Sequence, residues 1–220
     1  MTNRFKLILF DFDGTIADTS EGILKCVRYA LGKAGIEETD ENRLREFLGP
    51  PLSYIFRKNY LDDEEAAWKF VRDYRELYNP EGYKLFSLYP GAEDMLRELK
   101  DRGVGRVIVS GKPAAMVRKI VEFKGITELF DGEVCLDPSN GDPDKTGVIL
   151  RAMKEFGNVD PSRTVMVGDR EYDIAPAKKL GLFTVGVTFG YGTAKELTDS
   201  GADALADDIA QLRKVLTEND

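Results

Sequence analysis

Two patterns of apolar positions divide the chain. From Asp18 to about Tyr83 the spacing is helical throughout. Ile23, Val27, Ala30, Leu31 and Ala34 recur on one face after Asp18-Thr19-Ser20, and Gly35 supplies a stop. Leu44, Phe47 and Leu48 predict a short second helix broken by Gly49-Pro50-Pro51, and Leu52, Ile55 and Phe56 follow Pro51, read as a first helical residue. Ala66, Ala67, Phe70, Val71, Tyr74, Leu77 and Tyr78 mark a long amphipathic helix that begins at the acidic run Asp62 to Glu65 and ends at Asn79-Pro80. The segment reads as a four-helix unit.

From Tyr89 onward the pattern alternates. β-branched runs at Arg106 to Val109, Glu133 to Leu136, Thr164 to Val167 and Phe183 to Val187 predict strands. Helical stretches follow at Ala92 to Leu99, Ala114 to Phe123, Val148 to Phe156, Ile174 to Leu180 and Ile209 to Leu216. Apolar strands separated by amphipathic helices indicate a Rossmann-like α/β fold, a parallel sheet covered on both faces. Lys6 to Phe10 is one more such strand, and the simplest assembly places it in the same sheet with the helical block as an insertion. Right-handed crossovers then bring all strand C-termini to one edge, where open α/β sheets bind ligands.

Candidate chemistry gathers at that edge. The first strand runs into Asp11-Phe12-Asp13-Gly14-Thr15, another into Ser110-Gly111-Lys112, and a third into Gly168-Asp169-Arg170-Glu171-Tyr172-Asp173. Lys145 opens a helix after the turn-rich stretch Asp137 to Pro143. Two carboxylates about 4 Å apart repel by roughly 4 kcal/mol at an effective dielectric near 20. Several at one edge therefore demand a cation or raised pKa values. An all-oxygen set points to Mg²⁺. Together with a hydroxyl, an ammonium and backbone amides it is equipment for holding a phosphoryl group.

Composition narrows the field. The 220 residues contain no histidine, which excludes Ser-His and Cys-His nucleophiles and imidazole-bound zinc. A net charge of -8 argues against nucleic acid as a partner. Cys26 and Cys135 are too few for a disulfide framework. The N-terminal apolar run from Leu7 to Phe10 is too short for a signal peptide or a membrane span, so no membrane partner and a cytoplasmic location are expected. Phe56, Tyr60, Tyr74 and Tyr78 read as core of the helical unit, and Arg43, Arg57 and Lys58 as solvated helix faces. Gly103-Val104-Gly105 lacks the third glycine of a dinucleotide fingerprint.

Asp11-Phe12-Asp13-Gly14-Thr15, Ser110, Lys145 and Gly168-Asp169 with Asp173 resemble, in order and spacing, the four motifs of the haloacid dehalogenase-like phosphohydrolases. Leu88-Tyr89-Pro90-Gly91, the stretch Gly186 to Gly192 and Phe47 to Leu52 look like the phosphoglycolate-phosphatase-like branch. The resemblance implies a core of residues 1–15 and 88–220 with a mobile cap at 16–87. It implies Asp11 as nucleophile forming an aspartyl-phosphate and Asp13 as general acid and base. Phosphate would be bound by Thr15, Ser110, Gly111 and Lys145. Mg²⁺ would be bound by Asp11, the Asp13 carbonyl and Asp169, with Asp173 touching it directly or through one of these ligands, or serving instead as a helix N-terminal acid. The implied activity is hydrolysis of a small phosphate monoester in a monomer or homodimer, with a nucleotidase, pyrophosphatase or phosphomutase as alternatives. A phospho-acceptor signalling domain is the distant alternative, and it expects about half this length. Gly111 where many relatives have Asn, Thr146 where Pro is common and Arg170 where Ser is frequent are departures that bear on substrate choice.

Overall fold

The computed structural model describes residues 3–137, 144–157 and 159–218, so the turn reading for 138–143 lies outside the described residues. The chain forms two compact units, Met1–Ala17 with Leu88–Asp220, and Asp18–Ser87.

The first unit is a six-stranded sheet. Its strands are β1 (Leu7–Phe10), β2 (Gly105–Ser110), β3 (Gly132–Cys135), β4 (Thr164–Gly168), β5 (Phe183–Val187) and β6 (Ala204–Ala206), in spatial order β3-β2-β1-β4-β5-β6. Every neighbouring pair is parallel, with Phe10 beside Ile108 on one side and Val167 on the other. The chain leaves β1 towards β2 and β3, then crosses back to β4, β5 and β6. β1 is thus the switch point of the sheet, and its C-terminal end opens into the crevice between diverging connections.

Side-chain alternation fixes what faces that crevice. Leu7 and Leu9 of β1, with Val107 and Val109 of β2, pack in one cluster with Val148, Ile149, Ala152 and Met153 of α7 (Lys145–Glu155) and Ala177 of α8 (Glu171–Lys179). The same period carries Asp11 to the α7 side, while Ile8 and Phe10, both fully buried, point to the opposite face. Among the described residues this unit also holds the α-helices α5 (Ala92–Asp101), α6 (Ala114–Lys124), α9 (Ala194–Asp199) and α10 (Ile209–Thr217). Asp144 caps α7 by accepting from the Thr146 amide at 2.8 Å, so Lys145 is the first helical residue.

The second unit consists of α1 (Ser20–Lys33), α2 (Glu41–Arg45), α3 (Leu52–Asn59) and α4 (Glu64–Tyr78). Its core is aromatic. Phe56 stacks on Phe70 with ring centres 4.8 Å apart, and Phe47 lies 5.4 Å from Phe70. Tyr74 and Tyr78 stack at 5.0 Å, and Tyr60 lies 5.8 Å from Phe56. The acidic run does start a helix: Asp63 caps α4 through the Ala66 amide at 2.6 Å. Pro51 sits one residue ahead of its expected place, capping α3 with extended ψ of 129°. Phe47 and Leu48 are buried but follow α2 rather than extend it. Lys58 pairs with Glu46, Arg57 with Asp62, and Arg43 with Glu38, which leaves these basic residues on ion-paired surface.

Cys26 and Cys135 are buried free thiols, and burial pushes them up to about 11 and about 12. Among the described residues no helix is long and apolar enough to cross a membrane.

β4 ends in glycine for a steric reason. A Cβ on Gly168 would lie 2.2 Å from the Cβ of Asp173, which α8 brings back against the strand end. Gly168→Ala is therefore expected to cost about 1–3 kcal/mol by overpacking. Gly32→Ala, at a helical position with nothing within 4 Å, should gain up to about 1 kcal/mol. Urea midpoints at unchanged slope check both.

Candidate active site

The loop after β1 is built around a tight turn. The Gly14 amide donates to the Ala17 carbonyl at 2.8 Å, and the Thr15 and Ile16 amides both donate to the Phe12 carbonyl. Gly14 has φ of +80°, and a Cβ there would meet an Asp169 carboxylate oxygen at 2.3 Å, so only glycine permits the approach. Asp11 itself is tied to the neighbouring strand by its amide, which donates to the Val167 carbonyl at 2.9 Å.

Three buried carboxylates from two parts of the sequence then meet. Asp11, Asp169 and Asp173 each offer an oxygen, all within 4.8 Å of one another. Lys145 enters from α7. Its ammonium donates to Asp11 Oδ1 at 2.7 Å, to Asp173 Oδ1 at 2.6 Å, and to the Val109 carbonyl at 3.4 Å. Asp169 accepts from the Thr15 hydroxyl at 3.2 Å and from the Tyr191 amide at 2.8 Å. Asp173 serves twice: its second oxygen accepts from the Arg170 amide at 3.1 Å and caps α8. The helix N-terminal role expected for it is thus filled, and the side chain also offers an oxygen to the carboxylate cluster.

Asp13 stands outside this triad and forms an ion pair with Lys112, Nζ to Oδ2 at 2.9 Å. Ser110, almost fully buried at the end of β2, accepts from the Lys112 amide at 3.2 Å. Gly111 is exposed beside it. The structure thus joins Asp11, Lys145, Asp169 and Asp173 directly. Thr15 is fully buried, and its hydroxyl donates to Asp169, which it helps to orient.

Two contributors went unassigned in the sequence. Lys112 carried no role there, although it directly follows the Ser110-Gly111 pair. Tyr191 acts through its backbone, inside the glycine-rich Gly186 to Gly192 stretch already singled out. A Cβ on Gly190 would lie 2.3 Å from Asp169 Cβ, so glycine there lets the loop close over the carboxylate.

Electrostatics follow from burial. Desolvation pushes Asp11 up to about 7; Lys145 opposes this, while Asp173 and Asp13 add to it. Desolvation also raises Asp169 well above the usual carboxylate range, reinforced by Asp173 and Asp11. Burial works to lower Lys145, but the Asp11 and Asp173 charges outweigh it and raise the ammonium above its ordinary value. Four carboxylates against two ammonium groups leave a formal charge of -2. A divalent cation among Asp11, Asp169 and Asp173 would cancel that charge, and the all-oxygen donors fit a hard ion.

Comparison with known proteins agrees with this geometry. Residues 8–187 match the family described as haloacid dehalogenase-like hydrolase. The chain is similar to a 5'-nucleotidase of Pseudomonas aeruginosa, 32% identical over 97% of this chain and 96% of the relative. It is 29% identical to a phosphoglycolate phosphatase of Vibrio parahaemolyticus, over 96% of each chain. A solved structure described as a predicted phosphatase from Clostridium acetobutylicum superposes with TM-score 0.89 at 36% identity, covering 96% of this chain and 97% of that one. The chain belongs to the haloacid dehalogenase-like hydrolase family and is similar to its phosphoglycolate phosphatase branch.

Proposed function

We propose that this hydrolase is a cytoplasmic, magnesium-dependent phosphatase of small phosphate monoesters that works through an aspartyl-phosphate. One observation carries the reading: Lys145 bridges Asp11 and Asp173 at 2.7 and 2.6 Å inside a buried carboxylate triad at the switch point of a parallel sheet. Magnesium held by Asp11, Asp169, the Asp13 carbonyl and Asp173 supplies positive charge to the phosphoryl oxygens when bound.

The chain's own groups do the rest. An Asp11 oxygen forms a bond to phosphorus as the ester P–O bond breaks in line. Asp13 gives its proton to the departing ester oxygen. Water then attacks the same phosphorus, its proton passes to Asp13, the bond to Asp11 breaks, and inorganic phosphate leaves. Lys145, Ser110 and the Gly111 amide hold the phosphoryl oxygens, while Thr15 and the Tyr191 amide keep Asp169 in place. The helical unit Asp18–Ser87 is assigned the choice of leaving group. Similarity to a named 5'-nucleotidase favours a nucleoside monophosphate, and similarity to phosphoglycolate phosphatases favours a small carboxylate-bearing ester, as first members of a substrate panel.

Purified protein should turn over p-nitrophenyl phosphate many times with Mg²⁺ and stop with EDTA. Asp11→Asn should remain folded by circular dichroism and lose more than about 10³-fold in turnover. Retained activity in that variant contradicts covalent catalysis at Asp11. Mg²⁺ at about 100 times its Kd should stabilise the wild type by about 2.7 kcal/mol. Thermal unfolding should show most of that gain missing in Asp169→Asn, and an equal gain in both proteins contradicts the metal assignment.

A further inference from the structure

The Lys112–Asp13 ion pair is more shielded than the exposed Arg97–Glu93 pair. Its side chains are only 13% and 16% exposed, against 50% and 46% for Arg97–Glu93 on α5. An exposed pair contributes little, whereas a shielded one has given up hydration and holds its geometry more firmly.

Both partners arrive on short, constrained turns. Ser110 ends β2, the Lys112 amide donates back to its hydroxyl, and Pro113, with φ of -57°, closes the turn and caps α6. Asp13 lies in the turn braced by the Gly14, Thr15 and Ile16 amides. β1 and β2 are hydrogen-bonded neighbours in register from Leu7–Gly105 to Phe10–Ile108, so these two turns emerge side by side. Lys145 is meanwhile committed to Asp11 and Asp173. Each of the two carboxylates assigned to the chemistry therefore has its own lysine, delivered by a different strand–helix junction.

We propose that Lys112 is a positioning residue for Asp13, its ammonium fixing the carboxyl group where it exchanges a proton with the ester oxygen. This rests on the phosphatase reading above. No bond to Lys112 changes in the reaction. The proton moves from Asp13 to the ester oxygen as the P–O bond breaks, and Lys112 sets where that proton starts. A leaving group that is stable as an anion departs without the proton, while a basic one needs it. Misplacing Asp13 therefore penalises poor leaving groups selectively, whereas general damage to the fold lowers every rate alike.

The test compares wild type, Lys112→Met and Lys112→Arg on p-nitrophenyl phosphate, phenyl phosphate and a simple alkyl phosphate, reading kcat/KM for each. Lys112→Met should lose about 10²-fold on phenyl and alkyl phosphate, the scale of a misplaced catalytic group, and only a few-fold on the nitrophenyl ester. Lys112→Arg should recover part of the loss. Asp13→Asn should show the same selectivity, and adding Lys112→Met to it should cost little more. Equal losses on all three esters, a change confined to KM, or fully additive double-variant losses would overturn the proposal. If wild type hydrolyses none of the esters, the phosphatase reading fails, and crystal structures of wild type and Lys112→Met decide the positioning role separately. An Asp13 carboxyl that moves in the variant supports it, and one that stays in place overturns it.

Discussion

Four carboxylates and two ammonium groups share the C-terminal end of one sheet, and the charge they leave uncancelled is the constraint on which the rest depends. Oxygens of Asp11, Asp169 and Asp173 within 4.8 Å of one another repel by roughly 3–4 kcal/mol per ionised pair at an effective dielectric near 20. Lys145 offsets part of this by spanning Asp11 and Asp173, yet burial still drives Asp11 up to about 7. The fold holds like charges together where water screens them poorly. That arrangement suits a site that receives a divalent cation and a phosphoryl group.

The scaffold keeps the cluster assembled through backbone geometry. β1 is pinned between β2 and β4, so Asp11 cannot withdraw without breaking central ladder bonds. Gly168 lets Asp173 approach the strand end, and the Tyr191 amide with the Thr15 hydroxyl fixes Asp169. The Gly168–Asp173 approach joins a strand end to a first helical turn, while Thr15 and Tyr191 reach Asp169 from the short loops that follow β1 and β5. Rigid placement of this kind is what lets a phosphoryl-transfer site work by orientation and charge.

Much of this was legible because the relevant signals are local. Asp11 and Asp13 sit two residues apart after an apolar strand, and Lys145 opens a helix whose cap, Asp144, is its chain neighbour. The helices of Asp18–Ser87 declared themselves by apolar spacing. What was missed is either short or long-range. β6 is three residues at a sheet edge with Leu205 partly exposed, and α9 spans only six, so neither has enough turns or alternations to register. Lys112 and the Tyr191 amide gain meaning only from partners far away in sequence, which no local pattern reveals. The bond from the Thr15 hydroxyl to Asp169 is long-range in the same way, joining residues of two separate motifs.

The most direct test of the charge argument is anomalous diffraction from a crystal soaked in Mn²⁺ in place of Mg²⁺. The account requires one strong peak at bonding distance from carboxylate oxygens of both Asp11 and Asp169. A peak elsewhere on the protein, or none in a fully soaked crystal, would contradict it.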